Sequence, residues 1–407
     1  MTGVIPSLGR MPSLGKLATH GRPDNWTPLG RIQSGMVLDF TSATISDTLA
    51  ARGFTFTRSG ATATRVNSSG VLETVAANTL RIDHDPTTLA CLGGLFEEAS
   101  TNYALHSATF TNAAWVKTNV TAAQTQTGPD GVANSASLLT ATAANGTALQ
   151  ALTRASAARI SSVYVKRVTG SGNVDVTQDN GTTWATVTVT SGWTRVSIAS
   201  ATAANPTVGL RIVTPGDEVA VFGFQHEEKA FATSYIPTST AAVTRNADSL
   251  TLSDLTRIGY SATAGTVVVR SRALGFSAAS SPAPYMFGVG SLSSNELSVY
   301  FDGSARKTVG EARSGGAVQM SMSAAEVIAA GASYISALAW AENDAALVVN
   351  GGTPVTDTSI VLPVGIDRVS IGGRQARGQT AVGSQIISRL DYYNRRLSNA
   401  ELQSITT

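Results

Sequence analysis

The feature that most narrows the fold is a period of two. Short runs in which apolar and polar residues alternate recur along most of the chain, each cut off by a turn signal. Met36-Val37-Leu38-Asp39-Phe40 and Gly53-Phe54-Thr55-Phe56-Thr57 come first. Successive side chains of a strand point to opposite faces, so this alternation marks strands half-buried against a core. Asn67-Ser68-Ser69-Gly70 predicts a turn between strands at 61–64 and 71–72, and 79–83 reads as another short strand. Ser161-Ser162-Val163-Tyr164-Val165-Lys166 alternates again. Val174-Asp175-Val176 and Trp184-Ala185-Thr186-Val187 flank Asn180-Gly181, a strong hairpin signal because both residues accept positive φ. Strands are also expected at 193–198, 208–213, 266–270, 297–301, 346–349, 369–372 and 386–393, with Asp302-Gly303 and Asn350-Gly351 as hairpin turns and Gly288-Val289-Gly290 as a turn. One helix is expected, at the very end. Ser398-Asn399-Ala400-Glu401 fits a capping box ahead of Leu402 and Ile405.

At 407 residues the chain should hold two or three domains. Only 14% of it is charged, against roughly 25% in an ordinary soluble domain. Thr and Val fill part of the gap and suit pleated, half-buried surfaces. The expected fold class is therefore all-β: two consecutive antiparallel β-sandwich (jelly-roll) domains, preceded by an extended segment and closed by the short helix. A formal net charge of +2 gives no strong field toward nucleic acid or membranes. Cys91 is the single cysteine, which excludes an intrachain disulfide and a Cys-based zinc site, and it reads as a small buried apolar residue. The N-terminus lacks an apolar run of signal-peptide length, and the stretch 327–341 is broken by Gly331, Ser333, Tyr334 and Ser336. The expectation is a protein made in the cytoplasm that stays soluble or leaves as part of a particle, without membrane insertion.

Residues 1–35 stand apart. Pro6-Ser7-Leu8-Gly9 recurs as Pro12-Ser13-Leu14-Gly15, at a Pro and Gly density that prevents regular helix or central strand. Ile5, Leu8, Met11, Leu14 and Leu17 would be wasted on a solvated tail, so an extended docking peptide is expected. The remaining expected boundaries are 36–102, 103–248 and 249–407.

Gly93-Gly94-Leu95-Phe96-Glu97-Glu98-Ala99-Ser100-Thr101-Asn102, followed by Phe110-Thr111-Asn112-Ala113-Ala114-Trp115, resembles a signature of bacteriophage and prophage fibre proteins, including head-spike fibres. Residues 58–66, 70–71 and 81–86, Pro129-Asp130-Gly131, 232–238 and 244–248 resemble further segments of that family, in the same order. The resemblance spans roughly 36–248 and implies a carbohydrate-binding-module-type jelly roll between these landmarks. The C-terminal block is similar to laminin-G/concanavalin-A-like domains at Ala339-Trp340, Val349-Asn350-Gly351, Ile371-Gly372-Gly373 and Tyr393-Asn394-Arg395-Arg396-Leu397-Ser398. It departs from them at Ser333-Tyr334-Ile335, where those domains usually carry Trp-His-His.

Candidate chemistry is sparse. Glu97 and Glu98 are adjacent, and neighbours on a strand face opposite ways, so they read as structural acids at a junction. His20, His84, His106 and His226 have no His-x-His or His-x-x-x-His partners. No nucleophile elbow, Walker loop or dinucleotide fingerprint is present, and no acidic cluster comparable to an EF-hand loop supports calcium, so no cofactor or metal is expected. Sugar binding fits better. It needs an aromatic face for a pyranose ring and polar groups for its hydroxyls. Asp179, Asn180 and Trp184 supply both near one turn, with Trp184 read either as exposed there or as core. Arg374, Gln375 and Arg377 lie in a Gly-rich loop, 372–383. Trp115, Trp193 and Trp340 are expected in cores. The resemblance implies a non-enzymatic virion fibre, anchored to a capsid vertex, spike base or tail. It would bind host surface polysaccharide as a homo-oligomer, a trimer before a pentamer. A capsule depolymerase or lyase and a lectin-type adhesin are the alternatives.

Overall fold

The computed structural model describes residues 35–60, 63–276, 284–291, 294–374 and 383–407. The docking residues Ile5, Leu8, Met11, Leu14 and Leu17 lie outside these, as do His20, Gln375 and Arg377. The regular elements of the described chain are nearly all antiparallel strands, as the alternation requires. The capping box closes the terminal helix Asn399–Ile405: Ser398 Oγ accepts from Glu401 N at 3.3 Å, and Glu401 accepts from Ser398 N at 2.7 Å. A second helix, Ile45–Ala51, was not expected; its N-cap Thr44 makes no side-chain capping bond, so the usual start signal is absent.

An eight-stranded sheet runs from Val355–Asp357 through Asp344–Val349, Ser333–Ala341, Ala264–Ala273, Gln385–Tyr393 and Cys91–Phe96 to Arg81–His84, and Met36–Asp39 also pairs with Gln385–Tyr393. A seven-stranded sheet runs from Thr55–Thr57 through Ser249–Leu252, Arg368–Ile371, Tyr285–Gly290, Glu296–Asp302 and Lys307–Ser314 to Ala317–Ser323. Their inner faces share one core, with Leu38, Phe96, Val267, Phe287, Trp340 and Tyr392 fully buried or nearly so. A second sandwich packs a sheet containing Ala157–Thr169 and Glu218–Glu227 against one containing Val174–Thr177, Thr207–Ile212 and Gly146–Ala151. Trp115 is its buried anchor, stacked on Phe110 at 4.2 Å.

Strand pairing draws the boundaries differently from the sequence. Met36–Asp39, Thr55–Thr57, Arg81–His84 and Cys91–Phe96 belong to the same two sheets as strands after 249, while Ala63–Val66 and Leu72–Val75 pair only with each other, so most of 36–102 is not a separate layer. The second sandwich is inserted into the first. Its entry Ser100–Asn102 pairs with its exit Val243–Arg245, so the chain leaves and returns at one point. Alternation told which face of Met36–Asp39 is buried; it carries no information about the partner strand, Gln385–Tyr393, some 350 residues away. Gly93 is needed at this seam: its φ is 121°, and a Cβ there would collide with the Ile387 carbonyl oxygen.

Three smaller expectations are corrected. Gly288 lies inside the strand Tyr285–Gly290, where the bulged pairing with Glu296–Asp302 tolerates it, and not in a turn. Trp193 is half-buried because its indole Nε1 reaches out to donate to Thr127 O at 3.1 Å, whereas Trp115 and Trp340 are core. Cys91 is only half-buried, at the start of its strand.

The entry and exit are tied by buried charge. Arg58, Arg81, Arg245, Glu97 and Asp248 all have side chains closed to solvent. Arg81 bridges Glu97 at 2.7 Å and Asp248 at 2.6 Å; Arg58 reaches Asp248 at 3.0 Å and Arg245 reaches Glu97 at 2.8 Å. Ser234 adds two donors to Glu97, from N at 2.7 Å and Oγ at 2.6 Å. Burial pushes the Glu97 carboxyl up, but Arg245, Arg81 and Ser234 outweigh it and hold its pKa down at about 2. Its neighbour Glu98 turns elsewhere, to Lys229 at 2.8 Å.

Glu97→Gln removes one partner from a buried network and is expected to cost about 3–5 kcal/mol, read as a fall in the denaturation midpoint at pH 7. A carboxyl whose pKa is depressed on folding stabilises above its ordinary value near 4.5 and loses that contribution as pH falls toward about 2. The wild type should therefore lose stability across that window, and the variant should show a shallower loss there.

Candidate functional site

In the inserted sandwich, Val174, Val176, Val208, Leu210 and Ile212 point into the core. The alternate positions Asp175 and Arg211 therefore fall on the outer face of the same sheet. Register sets Thr186, Asp175, Arg211 and Thr147 side by side on four adjacent strands. Arg211 donates from Nε and Nη2 to one Asp175 oxygen at 2.9 and 2.7 Å, and Thr186 Oγ1 donates to the other at 2.7 Å. The guanidinium so fixed lies 4.4 Å from the Trp184 ring centroid. Trp184 is half-buried, which resolves the open choice: it is outside the core, packed on a surface cation. Arg211 keeps 27% of its side chain exposed, and its Nη1 has no partner among the described residues.

The turn beside Trp184 is rigid. Asp179 accepts from Thr177 Oγ1 and Thr183 N at 3.0 Å each and from Thr183 Oγ1 at 2.6 Å. Its slight burial raises its carboxyl, but these bonds outweigh that and keep it below the usual carboxylate range. Asp179 thus shapes the loop. Asn180 sits at φ 66° and accepts from Thr207 N at 2.6 Å, so its exposed amide group is what remains to donate outward. The structure brings Asp179, Asn180 and Trp184 together with Asp175, Arg211 and Thr186. The last three were legible only as outward-facing polar positions; their adjacency needed the register.

Arg374 is elsewhere and is not a solvated loop residue. It is buried, ion-paired with Glu296, with its guanidinium 5.3 Å from the Tyr285 ring centroid. A buried acid on the strand Glu296–Asp302 draws Arg374, near the start of the Gly-rich loop, inward.

A cleft of about 500 Å³ lies between the hairpin Ala63–Val66/Leu72–Val75 and the inserted sandwich. Leu72, Phe222 and Tyr235 line it, with Glu73 and Asp130 also on its wall. Both acids are already engaged. Glu73 accepts from Asn67 at 3.0 Å and Arg65 at 2.7 Å, bonds that hold it below the usual range. Asp130 accepts from Ser135 Oγ at 2.6 Å. The packed rings hold the hairpin to the insert, so the cleft is a joint. His226 is buried, with Nδ1 2.9 Å from Ser161 Oγ; burial, then Arg159 and Arg154, push its pKa down to about 3 and keep the ring neutral. Among the described residues no group of three or more His, Cys, Asp or Glu could hold a metal ion, and no helix is long and apolar enough to cross a membrane.

No family model matches the sequence, and no curated protein does. Among solved structures, the chain is similar to the carbohydrate-binding module of a Ruminococcus gnavus sialidase bound to α2,3 sialyllactose, at 19% identity over 36% of this chain and 84% of that one, with a TM-score of 0.31. It is also similar to a mutant of NanB sialidase from Streptococcus pneumoniae, at 16% identity over 38% of this chain and 26% of that one, TM-score 0.31. A pentraxin from Limulus polyphemus gives 17%, 37%, 73% and 0.28.

Arg374→Met is expected to leave Glu296 buried without its cation and to cost about 3–5 kcal/mol of stability. Thermal denaturation checks it. A variant as stable as the wild type would return Arg374 to the list of free surface residues.

Proposed function

We propose that this protein is a fibre or spike of a tailed phage or phage-like particle, and that it binds host surface polysaccharide through the outer face of its inserted sandwich. The observation that carries the binding reading is Trp184, half-exposed against a guanidinium that Asp175 holds still. Such a surface offers an aromatic ring for the apolar face of a sugar, and Arg211 Nη1 and the Asn180 amide as pre-set donors for its hydroxyls. Little rotamer freedom is lost on binding when the donors are already fixed. The particle reading is supported by the ordered sequence resemblance between residues 36 and 248. Residues 1–35 would then attach to a capsid vertex, spike base or tail, placing the protein on the particle surface after synthesis in the host cytoplasm.

Binding without cleavage is the reading the site chemistry favours. Glycoside hydrolysis needs one carboxyl held protonated beside another held ionised. Glu73 and Glu97 are both held ionised and His226 is held neutral; burial pushes the Asp83 carboxyl up, but its Oδ1 is committed to Val66 N at 2.8 Å within the fold. A shallow single site is weak, so a homo-oligomer, a trimer before a pentamer, would supply avidity.

Trp184→Ala and Arg211→Ala are each expected to weaken binding to isolated host surface polysaccharide about tenfold, in line with roughly 1–3 kcal/mol for a lost stacking partner. Trp184→Ala should change the melting temperature little, whereas Arg211→Ala also strips the buried Asp175 of its cation and should lower it. Binding that survives both changes would remove this face from the account. A rise in reducing ends during incubation with the polysaccharide would favour the depolymerase instead. Deleting residues 1–35 should leave a folded protein that no longer joins particles; particles carrying the truncated chain at normal copy number would contradict the anchoring role.

A further inference from the structure

The outer face of the eight-stranded sheet carries an arginine placed directly opposite another arginine. Arg270 on Ala264–Ala273 is in direct register with Arg389 on Gln385–Tyr393, so their side chains share a face. Like charges placed directly opposite each other destabilise a sheet. Arg389 has its own counter-ion, Asp391, which accepts from its Nε at 2.8 Å and its Nη2 at 2.9 Å, and Asp39 faces it from the next strand. Arg270 has none: among the described residues its guanidinium makes no hydrogen bond or ion pair. Burial, then Arg389, lower its pKa, and Asp391 offsets them only in part. Arg272, two positions along the same face, has a buried Nε with no partner among the described residues.

Arg270 does not simply wave in solvent. It is half-buried at the wall of a depression of about 350 Å³. Ser333, Asn350, Ser388 and Thr406 also line it. Asn350 is tied to Ile335 N at 2.8 Å and to Glu326 at 3.1 Å, and Ser388 Oγ donates to Arg270 O at 3.3 Å, so the surrounding polar groups are positioned before any ligand arrives. Tyr334, Ile335 and Thr407 complete its wall, and Glu326 reaches the rim through Asn350. A planar guanidinium is shaped to take a carboxylate or sulfate with two parallel hydrogen bonds.

We propose that this depression is an oxyanion-binding site, built on Arg270 with Arg389 beside it, that takes the carboxylate or sulfate group of an acidic ligand. It is separate from the Trp184 face and stands or falls without it. The unpaired cation costs the sheet stability in the free protein, and an oxyanion would relieve that cost on binding. Acidic polysaccharide and free inorganic anion share this chemistry and are separated by the probes.

The test uses the full chain, titrated with polygalacturonate, with the neutral polymer pullulan and with sodium sulfate, all at low ionic strength. Polygalacturonate is expected to bind and pullulan not to bind at this site. Arg270→Gln is expected to lose about tenfold in affinity, the scale of one hydrogen bond to a charged group, and Arg270→Lys to keep part of it. Arg270→Gln should melt at the same temperature as the wild type or higher, because a like-charge contact is removed. Arg306→Gln, an exposed arginine away from the depression, should change nothing. Binding of sulfate with the same dependence on Arg270, but no gain for the polymer, supports the site with a small free anion as its source. Equal losses in the Arg270 and Arg306 variants would show diffuse attraction and overturn the proposal. So would a large fall in the melting temperature of both Arg270 variants, which would make Arg270 a structural residue.

Discussion

The structure turns on three arginines and two carboxylates buried where one sandwich enters the other. Inserting a domain requires two chain crossings at one place, each with backbone and side-chain polar groups that lose water. Here the crossings are stitched by Glu97, on the way in, and by Arg245 and Asp248, on the way out, with Arg81 bridging both acids. Arg58 contributes from the segment after the strand Thr55–Thr57 and also donates to backbone carbonyls of Val75, Ala76 and Thr79. Burying so many charges is not a cheap way to gain stability. What it does is fix geometry: each guanidinium has directional bonds that a sheared or rotated insert could not keep. The β-strand pair Ser100–Asn102 and Val243–Arg245 alone would be a narrow hinge.

This explains how much of the fold was legible. A period of two, turn dipeptides and a capping box are local signals, and they marked strands, turns and the last helix. Nesting is a long-range property. Met36–Asp39 pairs with Gln385–Tyr393, and Thr55–Thr57 with Ser249–Leu252, and nothing within those segments names the partner. Glu97 and Glu98 do turn to different partners, but they follow the strand Cys91–Phe96 rather than lie in it, so strand alternation is not the reason. That Glu97 answers two arginines could not be read, because Arg81 and Arg245 are 164 residues apart in the chain.

The same split applies to the site. Trp184 was singled out by its place beside Asn180-Gly181, and it does stand outside the core. Its neighbours Asp175 and Arg211 were visible only as outward positions on two separate strands. Arg374 was misplaced for the opposite reason: a Gly-rich loop suggested exposure, whereas a buried Glu296 on another strand draws it in. Rigid support and exposed chemistry thus sit on different layers. The packed joint at Phe222 and Tyr235 and the buried charges lie between the insert and its host, whereas Trp184 and Arg211 stand on an outer sheet face.

The claim that the Trp184 face is the recognition surface is tested most directly by hydrogen-exchange mapping of the full chain with and without host surface polysaccharide. Slowed exchange confined to the loop and strand at 179–187 and to Thr207–Ile212 is the predicted result. Protection that appears instead around the Phe222 and Tyr235 cleft, or nowhere on the inserted sandwich, would contradict it.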